Sequence, residues 1–312
     1  MPSYAFETVD VFTDQRFGGN PLAVFKDARG LSADEMQKLA FEFNLSETTF
    51  VLRAEDSANT ARVRIFNRTT EMAFAGHPSI GTAYVMARAG LALGNDLRLE
   101  VPAGIVAVEL ERDAKGEVSG GKITAPQPLS TGPAFSPELI AQCLGLAPAD
   151  VIAETHAPMI ASMGNPYVFA EVHRDAVGRC TPDIAAFRRA HASRDDLGNR
   201  FSIFVYARDG ANIHARMFAP LSGTWEDPAT GSANAPLAGL LLQHSTADAV
   251  AFTVRQGEEM GRAKPVAHQR RTQWRCHNCD RRGPMCACFP RRGGALRPAP
   301  RRLADDARAA AC

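Results

Sequence analysis

The stretch Glu226–Ala233 (EDPATGSA) carries the residue types that acid/base chemistry on a small acid requires. Asp-Pro favours a turn, and the small residues Gly231 and Ser232 allow the N–H groups of a following helix start to approach an anion closely. A carboxyl group beside such N–H groups, here that of Asp227, can move protons on a bound carboxylic acid. The stretch is also compatible with a turn that only caps the helix, and by itself it leaves both interpretations open.

Glu47 is a second candidate acid/base group, in the segment NLSETTFVL (Asn44–Leu52). The segment marks the change from a helix to an apolar strand. Partial burial at such a place would raise the pKa of the carboxyl group towards the range in which it can both give and take a proton. From this residue alone, an exposed loop glutamate remains the simpler interpretation.

Gly76 and His77 begin a third candidate segment, FAGHPSIGTA, at the start of a predicted helix that is apolar nearly all round. Pro78 fits the first turn of this helix and Gly90 fits just past its end. Such a helix is buried, so a His at its N-terminus is a candidate for ligand contact, although isolated histidines are usually structural. The glycine spacing also resembles a phosphate loop, but no Lys follows the last glycine, which makes a nucleotide site a weak interpretation.

The bulk composition predicts an ordinary globular protein of up to two domains. The chain has 312 residues, of which 45% are apolar. The N-terminus lacks the pattern of a signal peptide, and no apolar run approaches the ~18 residues of a membrane span. We therefore expect a cytoplasmic protein without a membrane segment. Only Cys143 and Cys180 of the seven cysteines precede residue 265, which argues against a disulfide framework.

The candidate residues lie among predicted strands and one capped helix in the first half of the chain. The helix starts with a capping box at Ser32 and Glu35 and ends near Asn44. Strands are predicted at Tyr4–Thr13, Gly18–Phe25, Ala61–Phe66, Leu97–Leu110 and Val118–Ala125.

The second half of the chain repeats this order of elements. GNPLAVF returns as GNPYVFAEV, TTFVL as SIFVYA, ARVRIF as HARMF, and EMAFAGHPSIGTAYVM as EDPATGSANAPLAGLLL, at offsets of 145 to 155 residues. This predicts a duplicated α+β fold with halves at residues 1–125 and 126–264, each with strands around a buried helix. The two helix N-termini, at Gly76-His77 and Gly231-Ser232, would face each other across a cleft, where they suit a carboxylate or a developing enolate.

The segments GGNPLAVF, NLSETTFVL, FAGHPSIGTA, MGNPYVF and DPATGSA together resemble the phenazine-biosynthesis isomerase (PhzF-like) family over about residues 4–264. The resemblance implies the diaminopimelate-epimerase-like fold, in which two barrel-like α/β halves each surround a central helix, usually in a homodimer. It also implies an isomerase that needs no cofactor and no metal and that shuttles a proton within a cyclic hydroxy amino acid.

The resemblance also implies which residues form the site. Glu47 matches the family's acid/base glutamate. Substrate-binding positions of the family correspond here to His77, Asp227 and Ser232 as site-lining residues and to Gly76 and Gly231 as sources of backbone N–H groups.

The related epimerases use two facing cysteines, which correspond here to Ala75 and Thr230. Since neither residue carries a thiol, a two-cysteine racemase is excluded at these positions. Proton transfer then falls to a carboxyl group, and we expect Glu47 to be protonated at rest and to donate to one carbon after abstraction at another. An epimerase that uses Glu47 and Asp227 as two bases stays an alternative, as does a catalytically silent binding protein on the same fold.

Residues 265–312 differ in composition from the rest of the chain. They hold 11 Arg, no Lys and 3 Asp, a net charge of +8, which leaves −7 for the rest because the whole chain carries +1. Five of the seven cysteines also lie there, and the segment shows no strand pattern.

Three interpretations of this tail compete. Cys276, Cys279, Cys286 and Cys288 could bind zinc, although their spacing is cramped. The arginines could form a basic arm for nucleic acid, but no aromatic residues are interleaved with them, and we expect no nucleic-acid partner. The third and favoured interpretation is a reading-frame error in a GC-rich gene, because strands are due where the composition shifts.

Overall fold

The computed structural model describes residues 3–13, 16–197 and 200–262, together with the backbone of 272–277, 287–288 and 297–299. These residues form two mixed sheets, each wrapped around one buried helix. The elements of the first half are β1 (Phe6–Val11), β2 (Asn20–Phe25), α1 (Ala33–Phe43), β3 (Glu47–Leu52), β4 (Ala61–Phe66), β5 (Glu71–Met72), α2 (Gly76–Arg88), β6 (Asp96–Val101), β7 (Gly104–Arg112) and β8 (Val118–Thr124).

The second half contains the same series of elements, with some additions. They are β9 (Ser130–Ala134), α3 (Pro137–Leu144), β10 (Val151–Ile152), β11 (Met159–Ser162), β12 (Pro166–Val172), α4 (Arg174–Arg179), α5 (Ile184–Ala192), β13 (Ile203–Asp209), β14 (Asn212–Ala219), β15 (Thr224–Asp227), α6 (Gly231–Gln243), β16 (Ala249–Gln256), β17 (Thr272–His277), β18 (Ala287–Cys288) and β19 (Arg297–Ala299).

The two sheets have the same series of strand directions. In the first sheet, the pairing is antiparallel for β1–β2, parallel for β2–β3, antiparallel for β3–β4 and parallel for β4–β6. It is antiparallel for both β6–β7 and β7–β8. The neighbours β11–β12, β12–β13, β13–β14, β14–β16, β16–β17 and β17–β18 give the same series in the second sheet. The predicted duplication and the α+β class are therefore confirmed.

The end strands of the two sheets occupy corresponding places. Strand β9, at the start of the second half, pairs antiparallel with β11 of the second sheet, and β19 pairs antiparallel with β1 of the first sheet. Only β19 comes from the other half of the chain.

The central helices α2 and α6 are buried over almost their whole length. Every residue from Gly76 to Met86 and from Gly231 to Leu242 is buried. Their residues are apolar or small on all faces, so each helix can be surrounded by its sheet without burying a charge.

A matched ion pair stands at the same place in each half. Arg64 donates to both carboxylate oxygens of Glu71, with Nε–Oε1 and Nη2–Oε2 distances of 2.8 and 2.6 Å. Arg216 does the same to Glu226, with both distances 2.8 Å. Each bidentate pair joins a long strand to the short strand that leads into the buried helix, and so holds the helix N-terminus in place.

The local signals at the first helix are confirmed, whereas one predicted strand is wrong. Ser32 caps α1 in a complete capping box and Asn44 ends it in the left-handed conformation. The single strand predicted at Leu97–Leu110 is in fact the hairpin of β6 and β7. Its turn lies at Pro102-Ala103, because Pro102 cannot donate to a ladder and Gly104 has a φ of +130°.

The absence of a strand pattern after Lys264 did not prevent strands from forming there. The backbone of β17 and β18 occupies the places that β7 and β8 hold in the first half. Without β17, strand β16 would be an edge strand with unpaired N–H and C=O groups, and such groups can pair with an extended chain whatever its side-chain alternation. The side chains of the proposed zinc and nucleic-acid sites lie outside the described residues.

No helix in the part of the chain that the structure describes is long and apolar enough to cross a membrane. Within that same part, no three or more His, Cys, Asp or Glu side chains are grouped as metal ligands.

Candidate active site

A cavity lies between the two halves, where the short strands lead into the buried helices. Four of the predicted site residues line it together, namely Glu47, His77, Asp227 and Ser232. The volume open to the centre of a water molecule is about 20 Å³, enough for about one water molecule. The other lining residues are Asn67, Met72, Ala75, Tyr167, Arg200, Met217, Ala219, Ser222, Thr224 and Thr230.

Glu47 is the first residue of β3, and its carboxyl group points to the cavity. Its side chain is 13% exposed and its Oε2 lies 3.2 Å from Nε2 of His77. Burial raises the pKa of Glu47 well above its ordinary value, and the negative charge of Asp227 raises it further, whereas Arg200 and Arg68 act in the opposite direction. Burial without a strong ion-pair partner favours the neutral acid form.

His77 is a neutral imidazole in this site. Burial lowers its pKa to about 3, although a hydrogen bond to the backbone of Pro21 opposes the shift. The contact between His77 and Glu47 is therefore not an ion pair, although a distance of 3.2 Å would be short enough for one. A neutral ring that donates to the Pro21 carbonyl has an acceptor at its other nitrogen, which a protonated Glu47 can approach with its O–H.

Asp227 ends β15 and is held by side chains from both halves. Asn20, from the first half, donates to its Oδ1 at 2.8 Å, and Thr230 donates to its Oδ2 at 2.5 Å. Gln256 in turn donates to the Thr230 hydroxyl at 2.8 Å and to the Asp227 carbonyl at 2.7 Å. These bonds fix the orientation of the carboxylate across the interface of the halves.

The pKa of Asp227 is raised to about 6, mainly by burial, while hydrogen bonds from Thr230, Asn20 and Ser46 limit the shift. Burial therefore raises the pKa of both carboxyl groups in the cavity, Glu47 and Asp227, and brings them towards the range in which a carboxyl group can give and take protons.

The stability of the protein should therefore depend on pH through Asp227. Its folded pKa of about 6 exceeds the ordinary 3.8, so the folded state holds the proton more tightly, and this contribution is complete below pH 4 and lost as pH rises through 6. Relative to Asp227→Asn, the free energy of unfolding should fall by on the order of 2–3 kcal/mol from pH 4 to 7. Urea unfolding at both pH values measures it, and a difference that stays constant would contradict it.

The remaining predicted residues, Gly76 and Gly231, lie where the two helix starts touch. A Cβ on Gly76 would lie 3.0 Å from the backbone nitrogen of Ser232 and 3.1 Å from the carbonyl carbon of Gly231. Neither helix has a side-chain cap at its N-terminus. The two helix N-termini, which are uncapped and carry partial positive charge, thus meet beside the cavity. A residue larger than glycine at position 76 would push them apart.

Replacing Gly76 by Ala should destabilise the protein by about 1–3 kcal/mol, since the new methyl group meets backbone atoms that cannot move aside. The matched control is Gly178→Ala in α4, where a Cβ would have no described heavy atom within 4 Å and where Ala is the better helix former. Thermal unfolding of both variants measures the effect. Equal stability of the two variants would show that the helix ends are not in tight contact.

Tyr167 and Arg200 of the second half are among the polar cavity residues that sequence reasoning missed. The Tyr167 hydroxyl lies 2.6 Å from that of Ser232 and accepts from Asn165 at 2.6 Å. Arg200 donates to the other end of Asn165 at 3.2 Å. The repeat of GNPLAVF as GNPYVFAEV was the available signal for Tyr167, because it places this segment beside the second helix. Arg200 had no signal.

Comparisons with known proteins identify the family of this chain. The family described as Phenazine biosynthesis-like protein matches residues 9–275. A trans-2,3-dihydro-3-hydroxyanthranilate isomerase of Pseudomonas chlororaphis is 36% identical over 258 residues, which cover 81% of this chain and 86% of that protein.

Two solved structures share the fold. A PhzF-family protein of Bacillus anthracis has a TM-score of 0.74 at 24% identity and covers 95% of this chain and 98% of its own. A hydroxyproline epimerase of Agrobacterium vitis has a TM-score of 0.58 at 13% identity, with 96% and 92% covered. The predicted epimerase-like fold is thus confirmed, and the chain is an isomerase that belongs to the phenazine biosynthesis-like protein family.

Proposed function

We propose that the protein is a cofactor-independent isomerase that moves a proton within a small cyclic or amino-acid-like carboxylate, with Glu47 as the acid/base group. The observation that carries this proposal is the buried Glu47 carboxyl group beside a neutral His77 in the cavity between the halves. A carboxyl group with a raised pKa is a ready proton donor as the acid and a strong base as the carboxylate.

In the proposed reaction the acid form of Glu47 gives its proton to one carbon of the substrate, and the resulting carboxylate takes a proton from another carbon of the same molecule. One C–H bond forms, another breaks and the double bond between them shifts, so that atoms and electrons balance and Glu47 returns to its acid form. His77 receives the Glu47 O–H as a hydrogen-bond acceptor and keeps the carboxyl group oriented. His77, Asp227 and Ser232, with the N–H groups of Gly76 and Gly231, bind the substrate in this proposal.

The test is incubation with trans-2,3-dihydro-3-hydroxyanthranilate, the compound named for the Pseudomonas relative, in D2O. An isomerase yields a product with a moved double bond and deuterium at a carbon that had none. A catalytically silent binding protein yields neither change. Proton NMR follows both, and unchanged starting material over hours at micromolar protein would reject the proposal for this substrate.

A second candidate function is an epimerase, which the two carboxyl groups in one cavity favour. Glu47 comes from the first half and Asp227 from the second, and Asp227 has a pKa of about 6. Two bases from opposite halves could act on opposite faces of one carbon. In D2O this reaction would place deuterium at the stereocentre and leave the double bonds where they were.

For its assembly and location, we propose a homodimer in the cytoplasm, on the basis of the family resemblance. Sedimentation velocity of the full chain would give the mass of the particle, and a monomer at micromolar concentration would contradict the dimer.

A further inference from the structure

Arg200 is a cavity residue whose guanidinium has no ion-pair partner among the described residues. No carboxylate of those residues lies within 4 Å of it, and its Nε is buried without a hydrogen-bond partner among them. Its Nη1 donates to Asn165. Arg68, the other arginine near the site, by contrast donates to the carbonyl oxygens of Gly223 and Asn44. A buried donor left unpaired is costly, so Arg200 is suited to an external acceptor.

The wall beside Arg200 supplies a further donor. Tyr167 and Ser232 carry two hydroxyl protons, and their mutual bond uses one of them. The Tyr167 oxygen also accepts from Asn165, which consumes acceptor capacity and no proton. One hydroxyl proton is therefore left to donate elsewhere, whichever of the two hydroxyls donates in the mutual bond. Burial raises the pKa of Tyr167 to about 12, so this proton is present at neutral pH.

The donors and the carboxyl group of Glu47 lie on different halves of the protein. Arg200, Tyr167 and Ser232 belong to the second half, whereas Glu47 and His77 belong to the first. If the carboxylate of a cyclic acid binds to the donors of the second half, the ring of that acid faces Glu47. The side chains of Met72 and Met217 also line the cavity and provide apolar surface for such a ring.

We propose that Arg200 binds the carboxylate of the substrate and thereby determines which ring atoms face Glu47. The guanidinium can hold a carboxylate through two parallel N–H donors, and the Tyr167–Ser232 pair contributes the third hydrogen bond. This inference rests on the proposed function only for the identity of the acid. A bound carboxylate also neutralises Arg200, whose positive charge otherwise lowers the pKa of Glu47, so substrate binding favours the acid form of Glu47.

Equilibrium binding of anthranilate and of its neutral isostere anthranilamide tests this inference without any turnover. By isothermal titration, wild-type protein should bind anthranilate at least about 30-fold more tightly, since an unpaired buried charge costs 2 kcal/mol or more. Arg200→Gln should reduce this preference to within about threefold. Arg200→Lys should retain part of it, because it keeps the charge and loses the bidentate geometry.

Arg62→Gln is the matched control, because Arg62 pairs with the exposed Glu55 outside the cavity, and it should keep the wild-type preference. The inference is overturned if wild-type protein binds neither ligand, if it binds both equally, or if Arg200→Gln keeps the preference. A preference that depends on Arg200, found together with no deuterium incorporation, would reject the proposed function and retain the anion site. Deuterium incorporation by a protein that does not prefer anthranilate over anthranilamide would reject only the role of Arg200.

Discussion

Glu47→Gln should lower the rate of proton transfer by at least about 100-fold, the lower range of what a positioned acid/base group contributes. Gln has nearly the same shape as the protonated Glu, and its amide can take the place of the carboxyl group, whose Oε2 lies 3.2 Å from Nε2 of His77 in the wild type. Its amide cannot act as a general acid or base at neutral pH. The variant should therefore fold and bind ligand normally, and lose only the chemical step. Deuterium incorporation from D2O, measured by NMR, checks the rate directly.

The control for this substitution is Glu109→Gln, which makes the same chemical change at an exposed glutamate that pairs with Lys122 on the surface. It should keep the full rate. Full turnover by Glu47→Gln would remove Glu47 from the mechanism and leave Asp227 as the carboxyl group to examine. A Glu47→Gln variant that fails to bind anthranilate would instead show that the residue serves binding.

Glu226→Ala should reduce the free energy of unfolding by about 3 kcal/mol, because it leaves the Arg216 guanidinium buried without its main partner. The side chains of Arg216 and Glu226 are only 9% and 7% exposed. Arg216 retains hydrogen bonds to the carbonyl oxygens of Val177 and Cys180, which keeps the expected loss at the lower end of the range for a broken buried pair. Urea unfolding monitored by far-UV circular dichroism measures the change.

The duplicated fold contains its own control for this prediction. Glu71 makes the same bidentate contact with Arg64 in the first half, but these side chains are 30% and 18% exposed. Water can therefore replace the lost carboxylate in Glu71→Ala, and the loss should be about 1–2 kcal/mol. Losses of the same size in the two variants would mean that burial does not decide the strength of these pairs.

The site is asymmetric although the fold is duplicated. At the offset of 155 residues that relates Gly76 to Gly231, the counterpart of Asp227 is Met72, which lines the same cavity. Thr230, the counterpart of Ala75, supplies a hydrogen bond to Asp227 that Ala75 has no group to make. This asymmetry suits a reaction that takes a proton from one atom and delivers it to another.

Much of the fold could be predicted from the sequence because its signals are local or repeated. The capping box at Ser32 satisfies its own helix start, and strand β4 follows from alternation within Ala61–Phe66. The repeated segments predicted the duplication, since two copies of one hydrophobic pattern bury their apolar side chains in the same way and so form the same fold. Even so, the hairpin at Pro102 was missed, because two apolar strands joined by a tight turn read as one run.

What the sequence determined by itself was the duplicated α+β fold and the two buried helices, and it offered Glu47 and Asp227 as candidate carboxyl groups. Only the tertiary structure decided that Asn20 reaches Asp227 across the halves, that His77 is neutral beside Glu47, and that the Nε of Arg200 is buried with no hydrogen-bond partner among the described residues. These properties depend on burial and on contacts between residues far apart in the chain, 207 positions in the case of Asn20 and Asp227. Desolvation shifts a pKa only where packing removes water, and packing exists only in the folded protein.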